Sequence, residues 1–248
     1  MPNDSSIGVV EKLYTFEYDN IGTAAGDGIV FLNSSDASDT AFAATALRGG
    51  GVARGTTATT DDNMIELSRG GVNYRADDGM MSMEVRAYLD VVTNVAFNIG
   101  WNDEVLEGAN TLPVELSTAT FTRNGVTSAV ILFDTDASAI NTVFVPCWED
   151  DSVMMNETVA ANRFSGIAPV AAEYFTARVE LWDRGAGNGA RATFMVGRNN
   201  VSSTSGVKEF NTTVDRDALL AAHTSWENRS GTAHQVNISY MLLRYSLA

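Results

Sequence analysis

The 248-residue chain carries 16 Lys and Arg against 31 Asp and Glu, a formal charge of −15, with 45% hydrophobic and 9% aromatic residues. That hydrophobic content supports a core and argues against intrinsic disorder, while the acidic balance argues against a surface that tracks nucleic-acid phosphates or anionic lipid. A single cysteine, Cys147, excludes an intrachain disulfide, and no apolar run reaches the ~20 residues of a bilayer-spanning helix.

Met1 to Ser6 lack the basic and apolar regions of a secretory signal, so export by the signal-peptide route is not expected. Residues 1–25 are read as an N-terminal arm or edge strand, in which LYTFEY (Leu13–Tyr18) is the candidate first strand. Residues 26–248 are read as one domain, because proline is scarce and no linker or charge block divides them. Strands are predicted at Gly28–Leu32, Asn63–Ser68, Asn94–Trp101, Ala129–Asp134 and Thr142–Trp148.

Period-two alternation is strongest where Met81, Met83, Val85, Ala87 and Leu89 oppose Ser82, Glu84, Arg86 and Tyr88. It recurs at Phe175, Ala177, Val179 and Leu181, at Ala192, Phe194 and Val196, and at Val236, Ile238, Tyr240 and Leu242. Asp215–His223 (DRDALLAAH) reads either as a helix capped by Asp215 or as a strand with its lead-in loop. Many strands, Gly-rich turns and almost no helix predict an all-β, antiparallel jelly-roll sandwich.

The chemical inventory is thin. Trp148-Glu149-Asp150-Asp151 lacks the spacing of a calcium loop and reads as a solvated turn; Asp134 and Asp136 read as caps of the turn leaving a strand. No strand carries the alternating carboxylates of a glycoside hydrolase: Glu84 and Asp90 share a face with Arg86 between them, and Glu180 and Asp183 fall on opposite faces. His223 and His234 have no nucleophile motif beside them and read as polar surface residues. No enzyme activity, metal or cofactor is therefore expected. Trp182 and Trp226 are the candidates for stacking on a sugar ring.

From Gly70 onward the order of segments GGVNYRADDGMMSMEVRAYL, NVAFNIGWNDE, TSAVILFDTDA, AAEYFTARVELWDRGAGNGARATFMVGRNNV and NRSGTAHQVNISYMLLR resembles a concanavalin A-like jelly roll. Within that group the chain is similar to lectin-like virion proteins of tailed bacteriophages. The resemblance implies a capsid decoration or cement protein on the capsid surface, bound to the major capsid protein and to copies of itself, as a homotrimer. The alternative it implies is a carbohydrate-binding module that adsorbs to host surface glycans, and the third is a glycan hydrolase. For assembly the residues singled out are Tyr14, Phe16 and Tyr18 of the arm, with Arg86 and Arg178. The metal and sugar ligands of legume lectins have no residue-by-residue match here, and direct nucleic-acid or membrane binding is not implied.

Overall fold

The computed structural model describes residues 9–14, 21–22, 31–36, 39–47, 50–69, 71, 73–106, 111–118, 120–136, 143–151, 153–154, 160–198, 205–229 and 231–246. Its strands are β1 (Val9–Tyr14), β2 (Ile21–Gly22), β3 (Phe31–Ser35), β4 (Thr40–Leu47), β5 (Gly50–Thr56) and β6 (Met64–Arg69). Next come β7 (Met80–Leu89), β8 (Val95–Asn102), β9 (Val114–Ser117), β10 (Thr120–Arg123), β11 (Thr127–Asp134) and β12 (Val145–Asp150). The chain ends with β13 (Val153–Met154), β14 (Tyr174–Asp183), β15 (Ala190–Arg198), β16 (Ser205–Asn211), β17 (Ala221–Asn228) and β18 (Gln235–Ser246).

Two large sheets pack face to face. The first runs β16-β15-β14-β7-β18-β5-β4, with β1 also paired to β18; the second runs β13-β12-β11-β8-β17-β6-β3-β2. The β9–β10 hairpin pairs with neither and forms its own two-stranded sheet. Every described pairing is antiparallel except β2 with β3, which makes the molecule the antiparallel β-sandwich that the alternation predicts.

The alternating residues of β7 and β14 face inward as expected, and each fully buried Phe, Leu or Met side chain contributes roughly 1.5–3 kcal/mol. Phe97 of β8 is the hub, its ring 4.6 Å from Trp226, 5.4 Å from Phe133 and 5.5 Å from Phe175 between centroids. Trp101, also on β8, crosses the core to donate its indole N–H to the Val179 carbonyl of β14 at 3.1 Å, tying one sheet to the other.

At Gly100, between these two aromatics, the backbone of β11 leaves no room. A methyl group there would lie 2.2 Å from the Ala129 carbonyl oxygen and 2.9 Å from Val130 Cα. Gly100→Ala is therefore expected to lower stability by about 2–4 kcal/mol, because two paired strands must separate to admit it. A fall in the urea midpoint at constant m-value would register this, and an unchanged midpoint would refute it.

One expectation is corrected and three are narrowed. In β18 a bulge between Ile238 and Tyr240 shifts the register, so Val236 and Ile238 face inward but Met241 and Leu243, in place of Tyr240 and Leu242, continue the core. Of the two readings of Asp215–His223, the strand with its lead-in loop is the one found: a turn at residues 216–217 leads to an isolated bridge from Leu220 to Tyr74 and then to β17. Among the described residues the first strand is Val9–Tyr14, which contains Leu13 and Tyr14 of LYTFEY; residues 15–18, with Phe16 and Tyr18, lie outside the described residues. The strand expected at Gly28–Leu32 is Phe31–Ser35, residues 28–30 also lying outside the described set.

Candidate functional site

Three places could carry function. The first is the outer face of the first sheet, which holds the predicted residues Arg86, Arg178 and Trp182, all half-buried. Cross-strand pairing sets Tyr88 of β7 opposite Tyr174 of β14, and the Arg86 guanidinium lies 4.1 Å over the Tyr174 ring. Arg178 donates to Ser82 Oγ at 3.1 Å and pairs with Glu84 at 3.7 Å and, more closely, with Glu180. Tyr240 donates to Glu84 Oε1 at 2.6 Å; burial and that carboxylate push its phenol up to about 12. Trp182 donates to Glu180 Oε2 at 3.3 Å, and Arg191 stands 5.6 Å over its ring. Trp182 thus already has a cation over it. Trp226 is fully buried against Phe97 and cannot meet a sugar at all, which corrects that assignment.

The second place is the outer face of the second sheet, where polar side chains form a sealed layer. Pairing puts Glu66, Ser225 and Asn98 in one cross-strand row, flanked by His223 and Glu227 on β17, and all five are 0% exposed. Asn98 binds Val114 through both amide atoms (2.9 and 3.0 Å), Asp134 accepts the Leu116 N–H at 3.2 Å, and Asn102 donates to the Glu104 carbonyl at 3.1 Å. Val114 and Leu116 pack on Val130, Leu132, Val145 and Cys147. Polar residues at alternating positions here hold down the chain's own segment, so they do not face solvent.

Both histidines correct the expectation of a surface role. His223 Nδ1 lies 3.2 Å from the Val105 carbonyl, which makes Nδ1 the donor, and its Nε2 faces Glu66 Oε2 at 3.6 Å. Burial pushes His223 down to about 4, so it is neutral at pH 7. Glu149, expected in a solvated turn, is fully buried in β12 and accepts from Ser128 Oγ at 3.0 Å.

At one edge of this layer Arg229 sits among carboxylates. Its guanidinium meets Asp134 at 2.8 and 3.3 Å, Asp62 at 3.4 Å and Glu227 in close contact. Burial pushes the Glu227 carboxyl up to about 9, and it raises Asp134 against the pull of Arg229. Burial opposes the Arg229 charge, but Glu227 and Asp134 more than offset it and hold that pKa above its usual value. Asp134 also accepts the Asp136 N–H at 2.9 Å, the turn cap anticipated from the sequence. The role of Arg229 was not anticipated, since nothing local marks an arginine 95 positions away as its partner.

The third place is an open cavity of about 410 Å³ at the end of the sandwich. Val92, Thr93 and Asn94 come from the β7–β8 turn, Phe133 and Thr135 from the end of β11, and Ala168 and Pro169 from the approach to β14. Its walls are tied from behind. Asn94 adopts a left-handed φ of 56°, and its carbonyl accepts the Arg229 N–H and the His234 Nε2–H, both at 2.8 Å. Thr135 joins the same turn by accepting the Val95 N–H on its hydroxyl at 2.9 Å and donating its own N–H to the Val95 carbonyl at 3.1 Å. The third wall is fixed where the Ala172 N–H reaches the Leu89 carbonyl at 2.8 Å. The result is a preformed cleft with an apolar floor and three polar side chains around it, the usual make-up of a small-molecule site. Its segments lie far apart in the chain, so sequence reading missed it.

No family model and no curated protein matches the chain. Solved structures do. The Ca²⁺-bound exoplasmic/lumenal domain of VIP36 matches with a TM-score of 0.55 at 10% identity, covering 95% of this chain and 90% of that one. The potassium-bound carbohydrate recognition domain of Emp46p matches at 0.52 and 13%, covering 88% and 89%. Peanut lectin matches at 0.51 and 10%, covering 95% and 97%. At such identities the likeness is one of fold, and the chain has the legume-lectin-like, concanavalin A-like sandwich.

Proposed function

We propose that the protein is a carbohydrate-binding, lectin-like domain whose ligand occupies the cleft between the β7–β8 turn, the end of β11 and the approach to β14. The observation that carries this reading is the cleft itself: half-buried Val92 and Ala168 supply apolar surface for the C–H face of a sugar above the nearly buried Phe133 and Pro169, and Thr93, Asn94 and Thr135 ring it with hydroxyl and amide groups. The fold supports it, since two of the similar structures are described as a carbohydrate recognition domain and a lectin. A glycan array is the direct test. Ala168→Trp, which fills the cleft from a half-buried position, is expected to abolish whatever binding the wild type shows, by at least about 10-fold, while leaving the fold intact. No binding above background by the wild type would reject the proposal.

A second reading has its own observation. The outer face of the first sheet is an ordered surface of tyrosine, tryptophan and arginine with no lysine among its described outward residues, a composition typical of protein interfaces. On it we base the proposal of a structural protein of a tailed-bacteriophage particle, a decoration or cement protein that assembles with itself and with the major capsid protein. A charge of −15 would keep such a surface clear of DNA. Mass spectrometry of purified particles without this chain would end that reading. The two are compatible, since a particle-borne lectin would use the cleft for the host and the sheet face for assembly.

A further inference from the structure

We infer that the cleft selects uncharged glycans and rejects sugars bearing carboxylate, sulfate or phosphate; this rests on the carbohydrate-binding reading above. Among the described residues that line the cleft none is charged. An anionic sugar needs a cation or a cluster of aligned donors in place of its lost water, because a buried charge without a partner is costly.

Two basic groups stand close behind the wall, and neither is available to supply that cation. Arg229 reaches the wall only through its backbone N–H to the Asn94 carbonyl. Its guanidinium is directed at Asp134, Glu227 and Asp62. Strand alternation puts Asp134 on the opposite face of β11 from Phe133, the residue that lines the cleft. His234 is fully buried behind the same turn, and burial lowers its pKa despite the nearby Asp90 and the Asn94 carbonyl, so it holds the turn as a neutral imidazole. The charged group that immediately follows the rim residue Thr135 is the exposed acid Asp136, which repels an anion. What the cleft offers is an apolar floor and neutral donors and acceptors on Thr93, Asn94 and Thr135, a match for a neutral pyranose with an apolar face.

The test is an array of matched pairs, each neutral oligosaccharide printed beside the same oligosaccharide ending in a sialate or a uronate, followed by calorimetry of the best pair. The expected result is binding to the neutral member at least about 10-fold tighter than to its acidic counterpart, and an affinity for the neutral member that is flat between low and high salt. Asp136→Lys, at the exposed acid beside the rim and outside the cleft lining, is expected to improve binding of the acidic member about fivefold and to leave the neutral member within about twofold. Equal or tighter binding of the acidic members by the wild type would overturn the inference while leaving the carbohydrate reading in place. Failure to bind either member of any pair would remove both.

Discussion

Replacing Arg229 with methionine is expected to cost about 3–5 kcal/mol of folding stability at neutral pH, the range found when one partner of a buried ion pair is removed. The physical reason is that Asp134 is 2% exposed and cannot turn to water when the guanidinium is gone. Glu227, 0% exposed beside it and protonated at neutral pH, supplies no charge to replace the lost one. The triple variant Arg229→Met, Asp134→Asn, Glu227→Gln removes the charges together and is expected to recover most of that stability, since a buried ion cluster exchanged for neutral groups of similar shape is often close to neutral in stability. Urea denaturation of the two variants beside the wild type decides it. A single variant within about 1 kcal/mol of wild type would mean that water reaches the cluster and that its charges need no arginine.

This cluster also marks the boundary of what the sequence discloses. β7 and β14 are legible because one face packs in the core and the other is half-exposed, so apolar and polar residues alternate cleanly. β8 and β17 are buried on both faces, yet their outer faces carry Asn98, Asn102, His223, Ser225 and Glu227. Periodicity reports which side of a strand a residue occupies and not what covers that side. The covering segment, with Val105, Val114 and Leu116, lies between β8 and β11, and it converts apparent surface histidines and carboxylates into buried hydrogen-bond partners. Alternation with Phe175, Ala177, Val179 and Leu181 already set Trp182 on the outward side of its strand, whereas Trp226, on a strand buried on both faces, needed the fold to place it against Phe97. The cleft was out of reach altogether, because its three walls are joined by backbone bonds such as Ala172 to Leu89 that leave no mark in composition.

The same buried groups fix how stability should vary with pH. Glu227 in the folded chain titrates near 9, against an ordinary 4.5, so between those values the folded state holds a proton that the unfolded state has released. Its contribution to stability is complete below about pH 4.5 and is lost as pH rises through about 9; Asp134, also raised by burial, acts in the same sense. His223 runs the other way. Its folded value of about 4 lies below the ordinary 6.5, so its contribution is complete above pH 6.5 and is lost as pH falls through about 4, with His234, also lowered by burial, adding to that loss. Below pH 6.5 the two kinds of group oppose each other; above it the carboxyls act alone. The expected profile is close to level between about pH 4.5 and 6.5, where the two opposing protons offset each other, and declines from there toward pH 9 by at most about 1.4 kcal/mol per pH unit for each proton held. Glu227→Gln is expected to flatten the alkaline limb and to steepen the rise of stability between about pH 4.5 and 6.5, because the histidines then titrate without that opposing proton. Urea midpoints measured from pH 4 to 9 for both proteins test this, and an alkaline limb that persists unchanged in Glu227→Gln would show that Glu227 is already ionised beside Arg229 at neutral pH.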